Sequence, residues 1–581
     1  MEVLKKTWAV LKKNGYFSIL SLIFFGALVL LWGRFGDPVV DCGREAYIPF
    51  AMADLGKVLF KDIVCIYGPV PYYINALVVK LFGASFGVMQ AIGAFFAYMF
   101  LFLFYSFSKR FFGAAQAFFM SFLVLVSCVF SVHIFNYIFP YSYAMLYALV
   151  FSLLALFFIF KYSDTKEAEF LYLTAFFLSL CILSKYDFLP LILILPLILL
   201  LYRKNISSKN ILCILFSFFV PFFALILILL IQKVTVSDFL FNFKMISNMA
   251  HAPSLEYFYK TQTGFHFVPE KLIKLLKPSM LSLIMFGIFF FSAFYLCKVK
   301  YVILRYGTLS LLLIFSLICF RPVFFLFPLI IFLAFFGRVV YLLVKKRLFS
   351  IPEEEIPEYL FVFFTILISL KTLFDLNLDV YGTFYLPCVL LSFYILLFLF
   401  FKPTQISRSR YLCGINFLNI VLSAFFLFYT VKYYAFTKVV PVKTPMGTMY
   451  SVQAIAEPSN FAIRFLEQKL KKNESFLMLP EGLFFNFVFK NEYKYFNTSF
   501  TPLDFDAYGE EYLIKSVMEN LPKYLLITNR NTEEYGYAFI CRDYGLNFCA
   551  ALNNMYEFRA TSCKDCKNGD FAVHIFERKD K

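Results

Sequence analysis

Between two long apolar runs lies the segment Trp32–Gly83, WGRFGDPVVDCGREAYIPFAMADLGKVLFKDIVCIYGPVPYYINALVVKLFG. It carries Asp37, Asp41, Glu45, Asp54 and Asp62, with Arg34, Arg44, Lys57 and Lys61 among them, in a setting of Tyr, Phe and Pro. The runs on either side, Tyr16–Trp32 and Ala84–Ser108, have the length that crosses a ~30 Å hydrocarbon layer as a helix. Charged chain held between two such helices belongs at a membrane surface. Acidic groups there are costly to desolvate and mark functional sites; charges that simply face water are the plainer reading.

Working outward, the same alternation continues. After Ala84–Ser108 come Phe111–Phe135, Tyr141–Phe160, a tight hairpin of Phe170–Ser184 and Phe188–Tyr202 around Lys185, and Ile211–Gln232. A longer loop, Lys233–Pro278, leads to Met280–Cys297. A second tight hairpin, Gly307–Phe320 and Pro322–Phe336, turns at Arg321. Tyr359–Leu373, Phe384–Phe401 and Tyr411–Thr430 complete thirteen expected spans. The N-terminal run lacks a small-residue cleavage site and reads as a retained helix.

Composition agrees. Of 581 residues, 61% are hydrophobic and only 16% charged, with 84 Phe and 39 Tyr. That much apolar surface needs lipid as its solvent. The formal net charge of +17 sits in short clusters at every second loop: Lys5, Lys6, Lys12 and Lys13; Lys109 and Arg110; Arg203, Lys204 and Lys209; Lys298, Lys300 and Arg305; Lys345, Lys346 and Arg347; Lys402, Arg408 and Arg410. This is a positive-inside pattern, not the one-faced basic patch of a nucleic-acid binder, and it excludes that class. It places the N-terminus in the cytoplasm, residues 33–83 outside and the C-terminal segment outside.

From about Lys432 charges, Asn and Gly return. A helix is expected over Asn460–Lys472 with Ser459 as N-cap, strands at Ser475–Leu479, Tyr524–Thr528 and Phe571–Glu577, and a helix near Glu511–Asn520. The fold class is therefore mainly α and polytopic, with residues 1–431 as the membrane domain and 432–581 as an extracytoplasmic α/β domain. Cys42, Cys65, Cys541, Cys549, Cys563 and Cys566 fall on the oxidising side, which permits disulfides, Cys42–Cys65 being the sharpest pair. Cys563 and Cys566 also have a zinc-compatible spacing, unsupported by a second such pair. His133, His251, His266 and His574 show no ligand spacing, so no cofactor is expected, a divalent metal staying open.

Three strings in the first loop resemble GT-C glycosyltransferases that use polyprenyl-phosphate sugars, such as protein O-mannosyltransferases and aminoarabinose transferases. They are D-x-G-R-E-x-Y-I-P (Asp41 to Pro49), G-K-x-L-F-K-D-I (Gly56 to Ile63) and Y-G-P-x-x-Y-Y (Tyr67 to Tyr73), followed by L-F-G (Leu81 to Gly83). Lys185 in its hairpin and Y-G-T-F-Y-L-P (Tyr381 to Pro387) extend the likeness. The resemblance implies a hexosyl- or pentosyltransferase of the bacterial plasma membrane. It would move a sugar from a lipid-linked phosphate donor to a glycan, lipid or protein acceptor on the outer face, with inversion.

Such chemistry needs a carboxylate to take the acceptor hydroxyl's proton, and cations for the leaving phosphate. Asp41 matches the family's catalytic position; partnering Arg44 is its structural alternative. Glu45, one helical turn on, and Asp62 are further carboxylates. Lys185, Arg321 and Arg44 are the candidates for phosphate, snorkelling to the interface being the plainer role of the first two. Tyr67, Tyr72 and His251 would line the substrate loop. The basic stretch Lys271, Lys274 and Lys277 suits a surface helix on lipid headgroups. One departure stands out: Asn136–Ser142, before the fourth span, lacks the acid many relatives carry there, leaving Asp187 or Glu45 to substitute. A transporter or flippase would show inverted repeats and mid-membrane polar groups, and neither is evident. A non-catalytic GT-C-like scaffold is the other alternative.

Overall fold

The computed structural model describes residues 15–37, 39, 41–132, 134–202, 206–261, 307–308, 311, 327–345, 352–370, 381–401, 405–563 and 571–579. The expected span Met280–Cys297, most of the hairpin around Arg321, the basic stretch Lys271–Lys277, His133, His266 and Cys566 lie outside the described residues.

Five described helices are long and apolar enough to cross a membrane: Phe86–Phe112, Tyr143–Thr165, Ser208–Ile231, Thr383–Phe400 and Tyr411–Thr437. Shorter apolar helices include Gly15–Leu31, Val70–Phe82, Glu169–Ser184 and Ile356–Ile368. The protein is an integral membrane protein, and its burial pattern says which helices meet lipid. Tyr143–Thr165 is central, with Tyr143, Tyr147, Leu149, Leu153 and Tyr162 buried. Ser208–Ile231 instead leaves Leu212 69%, Phe216 66% and Ile231 71% exposed. Exposing such side chains to water costs ~25 cal/mol per Å2, a cost absent in lipid.

Local chemistry sets the boundaries. Ser85 caps Phe86–Phe112 by accepting the Val88 amide at 3.1 Å, and Gly113 at φ 95° ends it. The expected run Phe111–Phe135 is therefore cut: the helix restarts at Ala114, continues through a π turn, Leu125–Val129, and stops. Beyond it Asn136 Oδ1 accepts the Ile138 and Phe139 amides at 2.9 and 2.8 Å, turning the chain.

The hairpin around Lys185 is present. Lys185 is extended (φ −154°, ψ 121°) and breaks the helix Glu169–Ser184. The return begins as a 3-10 stretch, Tyr186–Leu193, because Pro190 has no amide to donate. It reaches Tyr202, whose hydroxyl meets Ser163 Oγ at 3.0 Å near the start of the outgoing arm. Gly68 locks this hairpin to the first loop: its amide donates to Ser184 O at 3.1 Å, and a Cβ there would lie 1.9 Å from Leu183 O. Gly68→Ala must push backbone from backbone. We expect ~3 kcal/mol or more of lost stability, read as a lower midpoint in detergent melts.

The first loop is a folded element. Its helix Cys42–Asp54 is buried along most of its length. The hairpin β1 (Val440–Thr444) and β2 (Gly447–Ser451), which no sequence pattern announced, holds the loop's start through Tyr450 N to Gly33 O at 2.9 Å. The C-terminal segment then forms a four-stranded sheet of β3 (Phe476–Leu479), β4 (Tyr524–Thr528), β5 (Tyr556–Thr561) and β6 (Val573–Arg578), in the order β3-β4-β6-β5. β3 and β4 are parallel; the other pairs are antiparallel. Helix Glu510–Glu519 matches expectation. The helix expected from Asn460 begins at Gln453, so Ser459 is a buried interior residue and not a cap.

The loop helix packs directly on Leu483–Val488, the short helix that follows β3. Gly43 faces Phe484, where a Cβ would come within 2.3 Å of the Phe484 amide nitrogen. Phe86 and Phe484 stack at 5.3 Å, and the Tyr493 amide donates to the Tyr47 hydroxyl at 2.6 Å.

Candidate active site

Asp41 precedes the loop helix with φ 57° and ψ −52°, a conformation rare outside glycine. Its side chain does not cap the helix; Oδ1 faces Arg44 Nη2 at 3.5 Å. The contact proposed as Asp41's structural alternative is thus real, but it leaves most of the guanidinium's capacity unused. Arg44 Nε and Nη2 are buried without a hydrogen bond, and the guanidinium lies over the rings of Tyr141 and Tyr67 at 5.0 and 5.8 Å. Burial pushes the Asp41 carboxyl above its ordinary range, with Arg44 and Arg530 pulling it down and Glu45 and Asp37 pushing it up.

Glu45 is 1% exposed. Its Oε2 accepts the Tyr143 amide at 3.1 Å, so its carboxyl sits at the N-terminus of helix Tyr143–Thr165, and Oε1 has no partner. That is where Asn136–Ser142 lacks an acid. Burial pushes Glu45 up to about 7, against the pull of Arg44, the Tyr143 amide and Lys185. The folded protein therefore holds a proton that the unfolded chain releases near 4.5. This contribution to stability is complete below about pH 4.5 and is lost as pH rises through about 7, an amount on the order of 3 kcal/mol. Glu481 and Asp504 are displaced the same way, so wild type alone does not isolate it. Glu45→Gln should flatten the fall of the melting midpoint between pH 5 and 8 relative to wild type.

Beside these groups three tyrosines meet. The Tyr67 hydroxyl donates to Tyr141 at 2.8 Å and lies 3.3 Å from the Tyr381 hydroxyl. Lys185, 1% exposed, places Nζ over the Tyr67 ring at 3.9 Å and the Tyr381 ring at 4.8 Å, with Asp187 Oδ2 at 3.5 Å. Arg44 and Lys185, 141 positions apart by number, thus lean on one ring. Tyr72 is buried in the same surroundings, within electrostatic reach of Glu45 and Arg44.

Other expected residues are elsewhere or differently engaged. Asp62 Oδ2 accepts the Val58 amide at 2.9 Å and fixes its own loop. His251 is exposed at the end of helix Val236–Ala250, its Nδ1 against Ser247 O at 2.8 Å. Arg321 lies outside the described residues. The Cys42–Cys65 disulfide does not form: both thiols are free and buried, Cys42 Sγ accepting the Asp37 amide at 3.2 Å and Cys65 Sγ donating to Tyr67 O at 2.9 Å. The loop helix carries Cys42 away while Asn242 clamps the Cys65 backbone. Cys541 and Cys549 are bridged instead, and Cys563 is also in a disulfide. Among the described residues no three His, Cys, Asp or Glu side chains gather with metal-ligand geometry.

Two charged residues escaped the sequence reading. Glu481 follows β3 and Arg530 follows β4, so both project past the carboxyl ends of parallel strands, where open sheets place ligands. Arg530 Nε lies 3.4 Å from Glu481 Oε2, and its Nη2 donates to Glu534 Oε1 at 2.9 Å. Glu481 shares a small cleft with Asp41 and Arg44. The available signal was a charged residue two positions after the end of each buried strand.

No protein-family model and no curated protein matches the chain. Among solved structures it is similar to ArnT from Cupriavidus metallidurans bound to undecaprenyl phosphate (13% identity, 96% of this chain and 98% of that one, TM-score 0.44). It is likewise similar to the archaeal oligosaccharyltransferase AglB from Archaeoglobus fulgidus in complex with an inhibitory peptide and a dolichol-phosphate (12% identity, 97% and 74%, TM-score 0.46). At such identity these two, and ArnT in the apo state (12%, TM-score 0.43), are proteins this chain is similar to along nearly its whole length.

Proposed function

We propose that the chain is a membrane glycosyltransferase that moves a sugar from a polyprenyl-phosphate donor to an acceptor on the outer membrane face. In this reading residues 1–431 form the membrane domain, with the N-terminus cytoplasmic in a bacterial plasma membrane. Residues 432–581 form the extracytoplasmic domain that covers the site. One observation carries the proposal: two cations, Arg44 and Lys185, lean on the Tyr67 ring beside a loop that also carries Asp41 and Glu45. A buried pair of cations against tyrosine hydroxyls suits a phosphate monoanion or dianion.

The reaction needs little else. The acceptor hydroxyl attacks the anomeric carbon as its proton passes to the Asp41 carboxylate. The bond from that carbon to the phosphate oxygen breaks, and its electron pair stays on the phosphate. Lys185 and Arg44 stabilise that charge, with Arg321 proposed as a third cation. A single displacement inverts the anomeric centre. Glu45, holding a proton near neutrality, would present a neutral partner to the same space and leave Asp41 as the base.

The test is mass spectrometry of surface glycans, glycolipids and glycoproteins from cells with and without the protein. The proposal expects species lighter by one sugar when it is removed. Identical profiles in all three fractions would remove it.

A further inference from the structure

The first loop opens with Gly33–Asp37, and distant parts of the chain pin it there. The Gly33 amide donates to Gln90 Oε1 at 3.0 Å, and its carbonyl accepts the Tyr450 amide at 2.9 Å. Arg34 Nη1 donates to Tyr434 O, and its guanidinium lies 5.2 Å from the Tyr450 ring centre. Gly36 sits at φ 85°, where a Cβ would come within 2.7 Å of the Phe139 ring and 3.3 Å of Cys42 Sγ. The remaining tie is a buried cation. Lys438 is 6% exposed, and its Nζ donates to Gly36 O with Asp37 and Cys42 in electrostatic reach. It stands between the last span, Tyr411–Thr437, and β1.

Burying an ammonium is costly, and for stability alone an apolar residue would serve this junction at least as well. What the cation secures lies five residues beyond Gly36. Asp41 holds φ 57° and ψ −52°, a conformation that persists only where the surroundings over-determine it. We infer that Lys438 is a positioning residue for Asp41, holding the start of the first loop through Gly36 so that the carboxylate stays aimed at the acceptor hydroxyl. The role of Asp41 as base rests on the proposed transferase reading; the tie through Gly36 does not. The route between the two residues is short. Lys438 fixes the Gly36 carbonyl, the next amide along, that of Asp37, donates to Cys42 Sγ at 3.2 Å, and Cys42 directly follows Asp41. Movement of the Gly36 peptide therefore reaches Asp41 from both sides, along the chain and through the Cys42 contact. Gln90, Tyr434 and Tyr450 hold the far end, so losing Lys438 frees only the stretch leading to the carboxylate. Lys185 rests on Tyr67 and Tyr381, outside this route.

The experiment compares the full chain with its Lys438→Met and Lys438→Gln variants by three measurements. Transfer is read in cells, per folded molecule, as the rate at which the sugar-bearing species that depends on the protein accumulates. Undecaprenyl phosphate binding and hydrogen exchange are read in lipid nanodiscs, with exchange in residues 33–41 set against that in β3 and β4. Lys438→Met should slow transfer about 10–100-fold, the effect of a base misplaced by about 1 Å, and leave the undecaprenyl phosphate dissociation constant within about threefold. Exchange in residues 33–41 should rise at least about tenfold while the strands keep their protection. The melting midpoint should move little, because the lost hydrogen bond and the relieved desolvation of the ammonium oppose one another. Lys438→Gln keeps an N–H donor on a shorter stem, so it should show the same pattern at smaller size. It carries the comparison if the methionine variant does not fold. Unchanged exchange in residues 33–41 would overturn the inference, as would faster exchange there with transfer intact. Faster exchange throughout the strands, with transfer per folded molecule intact, would also overturn it by making Lys438 a stability residue alone. If no sugar-bearing species depends on the protein but exchange rises only in residues 33–41, the transferase reading fails and the tie of Lys438 to the loop stands.

Discussion

Asp41→Asn is expected to lower the rate of sugar transfer by about 10²–10⁴-fold, the usual contribution of a positioned general base. The substitution keeps the size and planarity of the side chain and removes its ability to take a proton. Donor binding should stay within a factor of about three, because the phosphate-facing cations are Lys185 and Arg44. The 3.5 Å contact to Arg44 is too long for a strong charge-assisted bond, so its loss should move the melting midpoint little. If Asp41 were only a partner for Arg44, the opposite split would appear: a lower midpoint with turnover per folded molecule intact.

The pH profile separates the two more sharply. A base must be ionised, so the rate rises with pH through its pKa and then levels. Burial raises Asp41, and the charges facing it are Arg44 and Arg530, which lower it, and Glu45, Asp37 and the nearby Glu481, which oppose its ionisation. The acid limb of kcat/KM should therefore lie above the ordinary carboxylate range near 4. In Asp41→Asn the residual rate should lose that limb. Full activity in the variant, with the limb retained, would transfer the role to another carboxylate.

The difference between what sequence and structure reveal here has a physical origin. Apolar runs announce lipid-facing helices because the signal is local and repeated; Phe86–Phe112, Tyr143–Thr165 and the break at Lys185 were all readable. The strands Phe476–Leu479 and Tyr524–Thr528 were readable for the same reason, as short apolar runs bounded by polar chain. The site divides differently. Asp41, Arg44, Glu45 and Tyr67 share one loop, so a motif exposes them together. Tyr141, Tyr381 and Lys185 join them only through helix packing, and Glu481 and Arg530 only through a parallel strand pair. The disulfide expectation failed on geometry: Cys42 and Cys65 share a compartment but are held by different clamps, Asp37 for one and Asn242 for the other. Spacing in sequence carries no information about such vectors.

Lys185→Met is expected to weaken undecaprenyl phosphate binding by about 10–150-fold, the range for a hydrogen bond or ion pair to a charged group in a dry site. Methionine keeps an unbranched stem of similar length, so the packing under Tyr67 and Tyr381 survives while the charge goes. Undecaprenol, which has the chain but no phosphate, should bind wild type and variant equally, and that comparison assigns the loss to the headgroup. Lys185→Arg should recover only part of it. The ammonium sits 3.9 Å from one ring centre and 4.8 Å from another at 1% exposure, a space shaped for a compact cation and too tight for a planar fork. Snorkelling toward the interface would give another pattern, with affinity unchanged in both variants and for both lipids. The charge also acts on its neighbour: Lys185 lowers the Glu45 pKa, so its removal should raise the upper end of the Glu45-dependent stability change beyond about pH 7. Weakened phosphate binding together with that upward shift would place Lys185 between donor and loop, whereas the shift alone, with phosphate affinity intact, would leave it as a counter-charge to Asp187 and Glu45.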